Sequence, residues 1–302
     1  MGSFEGLEKL LLNSDNSVNE LSKAQSELQR QTTVLDKLLW EAQTNRKSMD
    51  ALRSNALRPL FSEIRAFVNS KQLGFNDTLD RIVSDNLSFA RFGDGELSML
   101  LRPDYSLSIQ PNSEAIRSEL REVVQSDSQS LLLGFPFFYR DAHWSKVWAD
   151  IWDEVHELFA EVETVGNAHV SRPVYFASEL DTAVLKWRKV WDDKRVTVIT
   201  GQGSRFDLIP QLFNNVKDSS FLYSTPKNAY ADLDRILETV ETTEYKASDI
   251  FLVALGPAGT VLTHKLALSG RRAIDIGHLP NSYDNVFGSG AWPEAIPVLK
   301  RK

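Results

Sequence analysis

Ser88-Phe89-Ala90-Arg91-Phe92-Gly93-Asp94-Gly95-Glu96 passes from an apolar run straight into a glycine-flanked acidic turn. A short apolar segment closed by turn residues reads as a buried strand. The same grammar recurs downstream. Leu131-Leu132-Leu133-Gly134-Phe135, Phe221-Leu222-Tyr223 and Ala273-Ile274-Asp275-Ile276 are strand-like. Val196-Thr197-Val198-Ile199-Thr200 runs into Gly201-Gln202-Gly203-Ser204-Arg205-Phe206, and Ile250-Phe251-Leu252-Val253-Ala254-Leu255 into Gly256-Pro257-Ala258-Gly259-Thr260. Helical stretches lie between several of these runs. Such alternation predicts an α/β fold with a largely parallel sheet flanked by helices. Strand order is not encoded in any one segment.

The helical stretches carry their own stripes. His143 to Phe159 places Trp144, Trp148, Trp152 and Val155 on one face, and Trp187 and Trp191 repeat an i,i+4 step. Aromatic stripes at this spacing are read as core. Leu60, Ile64, Phe67 and Val68 form a short amphipathic helix, followed by another across Leu79, Ile82 and Val83.

Residues 1–54 differ from the rest and are expected to form a helical extension of coiled-coil character, with residues 55–302 as the α/β domain. Val18, Leu21, Leu28, Leu35, Leu39 and Ala42 follow a 3,4 spacing, with Gln25 and Thr32 filling two seam positions. Pro and Gly are absent from Leu7 to Arg58. The stripe supports a homo-oligomer through this helix; a helix packed on its own domain, or merely extending from it, is the alternative.

Composition narrows the function classes. Apolar residues at 42% and charged residues at 25% are ordinary for a folded domain and argue against disorder. The formal net charge of -7 is poor for general nucleic-acid binding, although a local cationic pocket is compatible with it. No apolar run is long enough for a transmembrane helix, and the N-terminus lacks a secretory pattern. Gly6 stands where a myristoylation motif wants Ser or Thr. The chain has no cysteine, which excludes disulfides, thiolate catalysis and sulfur-ligated zinc. The expected compartment is the cytoplasm, including the inner face of the membrane for a peripheral protein.

The candidate chemistry gathers at strand ends. Asp94 and Glu96 repel one another, and a hard cation on a nucleotide diphosphate would relieve that cost. Mg2+ or Mn2+ is therefore the expected cofactor; a plain acidic turn is the reading that spacing alone leaves open. Gly93 allows close approach of a ligand. Gly201, Gly203, Ser204 and Arg205 offer N–H groups, a hydroxyl and a guanidinium to an anion, with a plain turn as the alternative. Neither a P-loop nor a dinucleotide fingerprint is present. Thr260, after Gly256, is placed to cap a helix or to meet a phosphate. Asp275 and His278 follow the next strand, where ligands gather in open α/β sheets. No two histidines stand at i,i+4, so a histidine zinc site is not expected. There is no Gly-x-Ser-x-Gly elbow.

The acidic segment Ser88 to Leu97 resembles the opening motif of the GT-D-type glycosyltransferases of bacteria. His169-Val170-Ser171-Arg172-Pro173, Gly201 to Phe206, Leu255 to Thr260 and Asp275-Ile276-Gly277-His278 are similar to further family stretches, in the family's order. The resemblance spans about residues 75 to 285 and omits the N-terminal helix. His169 to Pro173 by itself looks like a polar loop entering a strand. Leu279 to Asp284 matches the family only loosely. The resemblance implies a Rossmann-like fold, a nucleotide-sugar donor, a glycan acceptor and a divalent metal at Asp94 and Glu96. On that reading a hexose passes from a UDP-sugar to an acceptor hydroxyl during surface glycan or glycoprotein assembly. Arg91 and Arg205 would stabilise the leaving diphosphate, and Glu96, Asp275 or Asp284 would take the acceptor proton. A metal-dependent nucleotide or phosphate hydrolase and a noncatalytic nucleotide-sugar-binding subunit are the alternatives.

Overall fold

The computed structural model describes residues 2–288 and 290–297, with side chains from residue 17 onward. The chain divides into two compact units, Met1–Pro59 and Leu60–Lys302. The first is built on one helix, α1 (Gly2–Ala56). Its i→i−4 ladder meets no proline, and at 1.5 Å per residue it extends about 80 Å.

In the second unit seven strands form one sheet. They are β1 (Ser88–Arg91), β2 (Leu131–Phe135), β3 (Gly166–Asn167), β4 (Arg195–Gly201), β5 (Asp218–Ser224), β6 (Ile250–Ala254) and β7 (Ala273–Asp275). Their order is β3-β2-β1-β7-β6-β4-β5, and every pairing is parallel. Before β1 come α2 (Arg58–Lys71) and α3 (Phe75–Ser84); α4 (Asp94–Leu101) and α5 (Glu114–Val124) link β1 to β2. Then follow α6 (Ala142–Leu158), α7 (Pro173–Glu179), α8 (Asp181–Val190), α9 (Pro210–Phe213), α10 (Leu233–Val240), α11 (Thr243–Lys246), α12 (Pro257–Leu268) and α13 (Leu279–Phe287).

Both faces of the sheet are covered, which is why its strands read as continuous apolar runs. Ile250 and Leu252 join Leu79, Tyr175, Trp187 and Leu212 in the core against α3, α7, α8 and α9. The alternating residue Val253 faces the other way, toward Gly259 of α12. The tryptophans of the two helical stripes, Trp144, Trp148, Trp152, Trp187 and Trp191, are core residues, as their spacing predicts. Trp148, Trp187 and Trp191 are fully buried, and the Trp187 and Trp191 indoles donate to the carbonyls of Val170 (2.8 Å) and Leu212 (2.9 Å).

One local expectation fails. His169 to Pro173 does not enter a strand: β3 ends at Asn167, a 3-10 turn covers Ala168–Ser171, and Pro173 opens α7. Proline lacks an N–H and has a fixed φ, which suit the first position of a helix.

The central strands set the site. From β1 the chain moves outward to β2 and β3, then crosses to β4 and β5 and returns through β6 to β7. The β1/β7 pair, in register at Phe89 and Ile274, is thus where the chain paths diverge. Ligands bind outside the carboxyl ends of strands at such a point.

Candidate active site

The C-terminal strand ends open into a cavity of about 760 Å³. At its floor Arg91, ending β1, meets Asp275, ending β7. The guanidinium donates from Nη2 to the Asp275 carboxylate (2.9 Å) and from Nε to the Asp275 carbonyl (2.9 Å). Its Nη1 donates to the Ala168 carbonyl (3.2 Å) and the Ser171 hydroxyl (2.8 Å). Four of the five guanidinium N–H bonds are therefore spent on the protein. Gly277, at φ +46°, leaves the space this side chain fills; a Cβ there would collide with the guanidinium. Arg91 lines the cavity but works chiefly as a tie between β1, β7 and the turn after β3. Asp275, the expected base, is buried beneath it and does not line the cavity. Burial raises its carboxyl pKa and Arg91 opposes that shift.

The acidic side of the cavity comes from the first turn of α4. Gly93 is the N-cap, so Asp94 and Glu96 are the first and third helical residues. Residues two apart on a helix do not share a face, and the two carboxylates take different partners. The half-exposed Asp94 meets His143 Nε2 at 2.7 Å. Glu96 turns back, its Oε2 accepting from the Gly93 N–H at 2.9 Å, the return half of a capping box. Glu96 lines the cavity floor, and its carboxyl is pushed up to about 7. Burial is the main cause, followed by the nearby Asp275 charge.

Among the described residues no group of three or more His, Cys, Asp or Glu could by itself hold a metal ion. A divalent ion on a diphosphate needs less, since it keeps waters and takes phosphate oxygens around one or two protein carboxylates. Asp94, with the imidazole of His143 beside it, fits that demand. Glu96 lines the same cavity, with one of its oxygens engaged by the Gly93 N–H.

The lining of the cavity also offers donors. Arg205, from the loop after β4, donates through Nη2 to His278 Nδ1 (2.8 Å) and through Nη1 to the Ile296 carbonyl. Arg172 pairs with Glu294, and both residues line the cavity. Burial and the neighbouring Arg91 lower Arg172 to about 10, still cationic near neutrality. His278 is pushed down to about 3, by burial and then by Arg172, Arg205 and Arg91, so it is neutral. With Nδ1 accepting from Arg205, its remaining N–H is on Nε2. His169 is likewise kept neutral by burial, and its Nδ1 accepts from the Phe137 N–H at 3.0 Å. Two further arginines and two neutral imidazoles thus line the cavity together with the carboxylates. Gly201, Ser204 and Gly256 also line the cavity, with Gly256 as the N-cap of α12.

The structure brings together Arg91, Gly93, Asp94, Glu96, Gly201, Ser204, Arg205, Gly256 and His278 around the cavity. Gly203 and Thr260 lie outside its lining. Thr260 is fully buried and does not cap α12, whose N-cap is Gly256; its hydroxyl donates to the Arg91 carbonyl at 2.8 Å. Asp284, an alternative base, is exposed on α13 and does not line the cavity. Sequence reasoning missed His143, Tyr139 and the loop from Tyr105 to Ile109, all of which line it. A signal for His143 was present: Asp141 follows β2 and caps α6 through the Trp144 N–H (3.0 Å), repeating the strand–turn–helix grammar. The loop left no such trace. It is held by long-range bonds, including Asn228 N–H to the Ile109 carbonyl (2.7 Å).

Fold and cavity define a Rossmann-like α/β domain with its site at the switch point. Residues 89–293 match the glycosyltransferase GT-D fold, and the chain belongs to that family. It is 26% identical over 223 residues to glycosyltransferase GlyD of Streptococcus pneumoniae serotype 4, covering 70% of this chain and 27% of the relative. The probable glycosyl transferase Gly of Streptococcus gordonii is 25% identical over 230 residues, 70% of this chain and 32% of the relative. The chain thus spans about a third or less of these relatives' lengths. A solved structure of domain of unknown function 1792, described as a distinct glycosyltransferase fold, superposes with a TM-score of 0.67. Its sequence identity is 24%, over 77% of this chain and 87% of that one.

Proposed function

We propose that this chain transfers a hexosyl group from a nucleoside-diphosphate sugar, a UDP-sugar, to a glycan hydroxyl in bacterial surface glycan or glycoprotein assembly. The observation that carries the reading is the cavity at the β1/β7 switch point, lined by the carboxylates Asp94 and Glu96 and by the guanidinium groups of Arg172 and Arg205. Family membership and relatives named as glycosyltransferases support it. The chain's lack of cysteine and its nucleotide-sugar donor favour a cytoplasmic site of action. None of the described helices is long and apolar enough to cross a membrane.

The residues divide the work. Asp94, with His143 beside it, would hold Mn2+ or Mg2+ against the diphosphate. When bound, the ion supplies positive charge to the leaving group. Arg172 and Arg205 meet the same growing negative charge, and the Nε2–H of His278 adds a neutral donor. Glu96 takes the acceptor proton. One of its oxygens is pinned by Gly93, and a pKa of about 7 lets the other gain and lose a proton near neutrality.

The test is UDP release by the purified chain from a panel of UDP-sugars, with and without Mn2+ and with and without a glycan acceptor. Acceptor-dependent release and a glycosylated product are expected. Fast release indifferent to every acceptor would make the protein a hydrolase, and absence of turnover with tight UDP binding would make it a binding subunit.

A further inference from the structure

Outside the cavity, the largest run of exposed apolar side chains lies on α1. Val18, Leu21, Leu28, Leu35 and Leu39 are each more than half exposed, with Leu28 at 65% and Leu35 at 67%. An apolar stripe of this length, left in water, marks an interaction surface.

The pattern indicates what covers it. In a heptad frame Val18, Gln25, Thr32 and Leu39 take the a positions, and Leu21, Leu28, Leu35 and Ala42 the d positions. Val and Thr at a with Leu at d favour two strands. The flanking e positions hold Ser22, Gln29, Asp36 and Gln43, and the g positions Ala24, Gln31, Leu38 and Asn45. Asp36 is the one charge among them, so an identical helix meets little like-charge repulsion. Charge sits instead on the outer surface with both signs interleaved, as in the Lys23–Glu20 (3.8 Å) and Arg30–Glu27 (4.0 Å) pairs. A lipid surface would select a face rich in lysine and arginine beside the apolar one, and this mixed face does not supply it.

Gln25 and Thr32 decide the direction of pairing. In a parallel, in-register pair each meets its own copy across the seam, amide against amide and hydroxyl against hydroxyl. In an antiparallel pair a positions face d positions, and these polar groups would be set against leucine or alanine without partners. The seam ends near Ala42, because Arg46 occupies the next a position and would face an identical charge.

We propose that α1 joins two copies of this chain as a parallel, in-register coiled coil over Val18–Ala42. The proposal does not depend on the sugar-transfer reading. It would link two copies of the α/β unit through their N-terminal helices.

Because the chain has no cysteine, single cysteines report pairing without background. Full-length Leu21→Cys and Leu35→Cys, each oxidised alone, are expected to form disulfide-linked dimers, and Lys37→Cys on the outer face is not. Both seam variants self-link only when like residues face each other. Light scattering of the unmodified chain should give twice its 34.1 kDa mass. Leu28→Lys combined with Leu35→Lys should return the monomer mass with the thermal transition of the α/β unit preserved. A monomer mass at the highest soluble concentration, a mass of three or more chains, or cross-linking of Lys37→Cys equal to that of the seam variants would each overturn the proposal.

Discussion

The turn after β1 and the turn after β4 look alike in sequence, each a strand followed by two glycines one residue apart and a charged side chain. They fold differently. After β1, Gly93 caps α4 at once, so Asp94 and Glu96 are fixed by a helical turn and take different partners. After β4 no helix begins until Pro210, and the loop is held by local bonds. The Ser204 N–H donates to the Gly201 carbonyl (3.0 Å), and the Thr200 and Ser204 hydroxyls meet at 2.9 Å. From that loop Arg205 reaches His278, 73 residues on, beyond a different strand. A helical turn separates close neighbours in sequence, while an irregular loop unites distant ones. On the proposed reading the first turn supplies the metal ligand and the proton acceptor, and the second supplies charge for the leaving group.

That contrast breaks most visibly at Asp94. Asp94→Asn should lower kcat by about 10²–10³-fold, and the loss should come with weaker dependence on added Mn2+. Steady-state UDP release across a manganese titration checks both. Unchanged kcat would remove Asp94 from the site.

Glu96 comes next. Its base form is needed for proton transfer, so kcat/KM should rise as pH passes through about 7. Glu96→Gln should abolish that limb and lower kcat by about 10²-fold. The same group links to stability with a definite sign. Its folded pKa of about 7 lies above the ordinary 4.5, so the folded state holds the proton more tightly. Its contribution is complete below pH 4.5 and is lost as pH rises toward 7. Urea midpoints measured over that window should fall less with rising pH in Glu96→Gln.

The β4 turn should show the opposite kinetic signature. Arg205→Ala should raise the donor KM by about tenfold while kcat changes less, because a guanidinium that meets the diphosphate in both ground and transition states contributes mainly to binding. A kcat loss equal to that of Asp94→Asn would erase the division of labour between the turns.

The smallest kinetic effect is expected at Gly203. It sits at φ +71° on the surface with no atom within 4 Å of where a Cβ would lie. Gly203→Ala should cost about 1 kcal/mol through backbone strain and leave the kinetics unchanged. Denaturant unfolding beside a donor titration separates the two.

Much of this protein was determined by local sequence. Apolar runs closed by turns specify the parallel strands, and the tryptophan spacing specifies core helices, because periodicity depends only on near neighbours. The family motifs mark the turns that line the cavity for the same reason. Tertiary structure alone decided which side chains line the cavity. Asp275 and Thr260 sit at strand and helix ends like true site residues, yet Arg91 consumes both, its guanidinium pairing with Asp275 and its carbonyl accepting from Thr260. Conversely, His143 and Arg172 enter the cavity because β2 and β3 stand beside β1. The raised pKa of Glu96 likewise depends on burial and on a carboxylate 179 positions away, and interactions over that range are set by packing rather than by sequence neighbours.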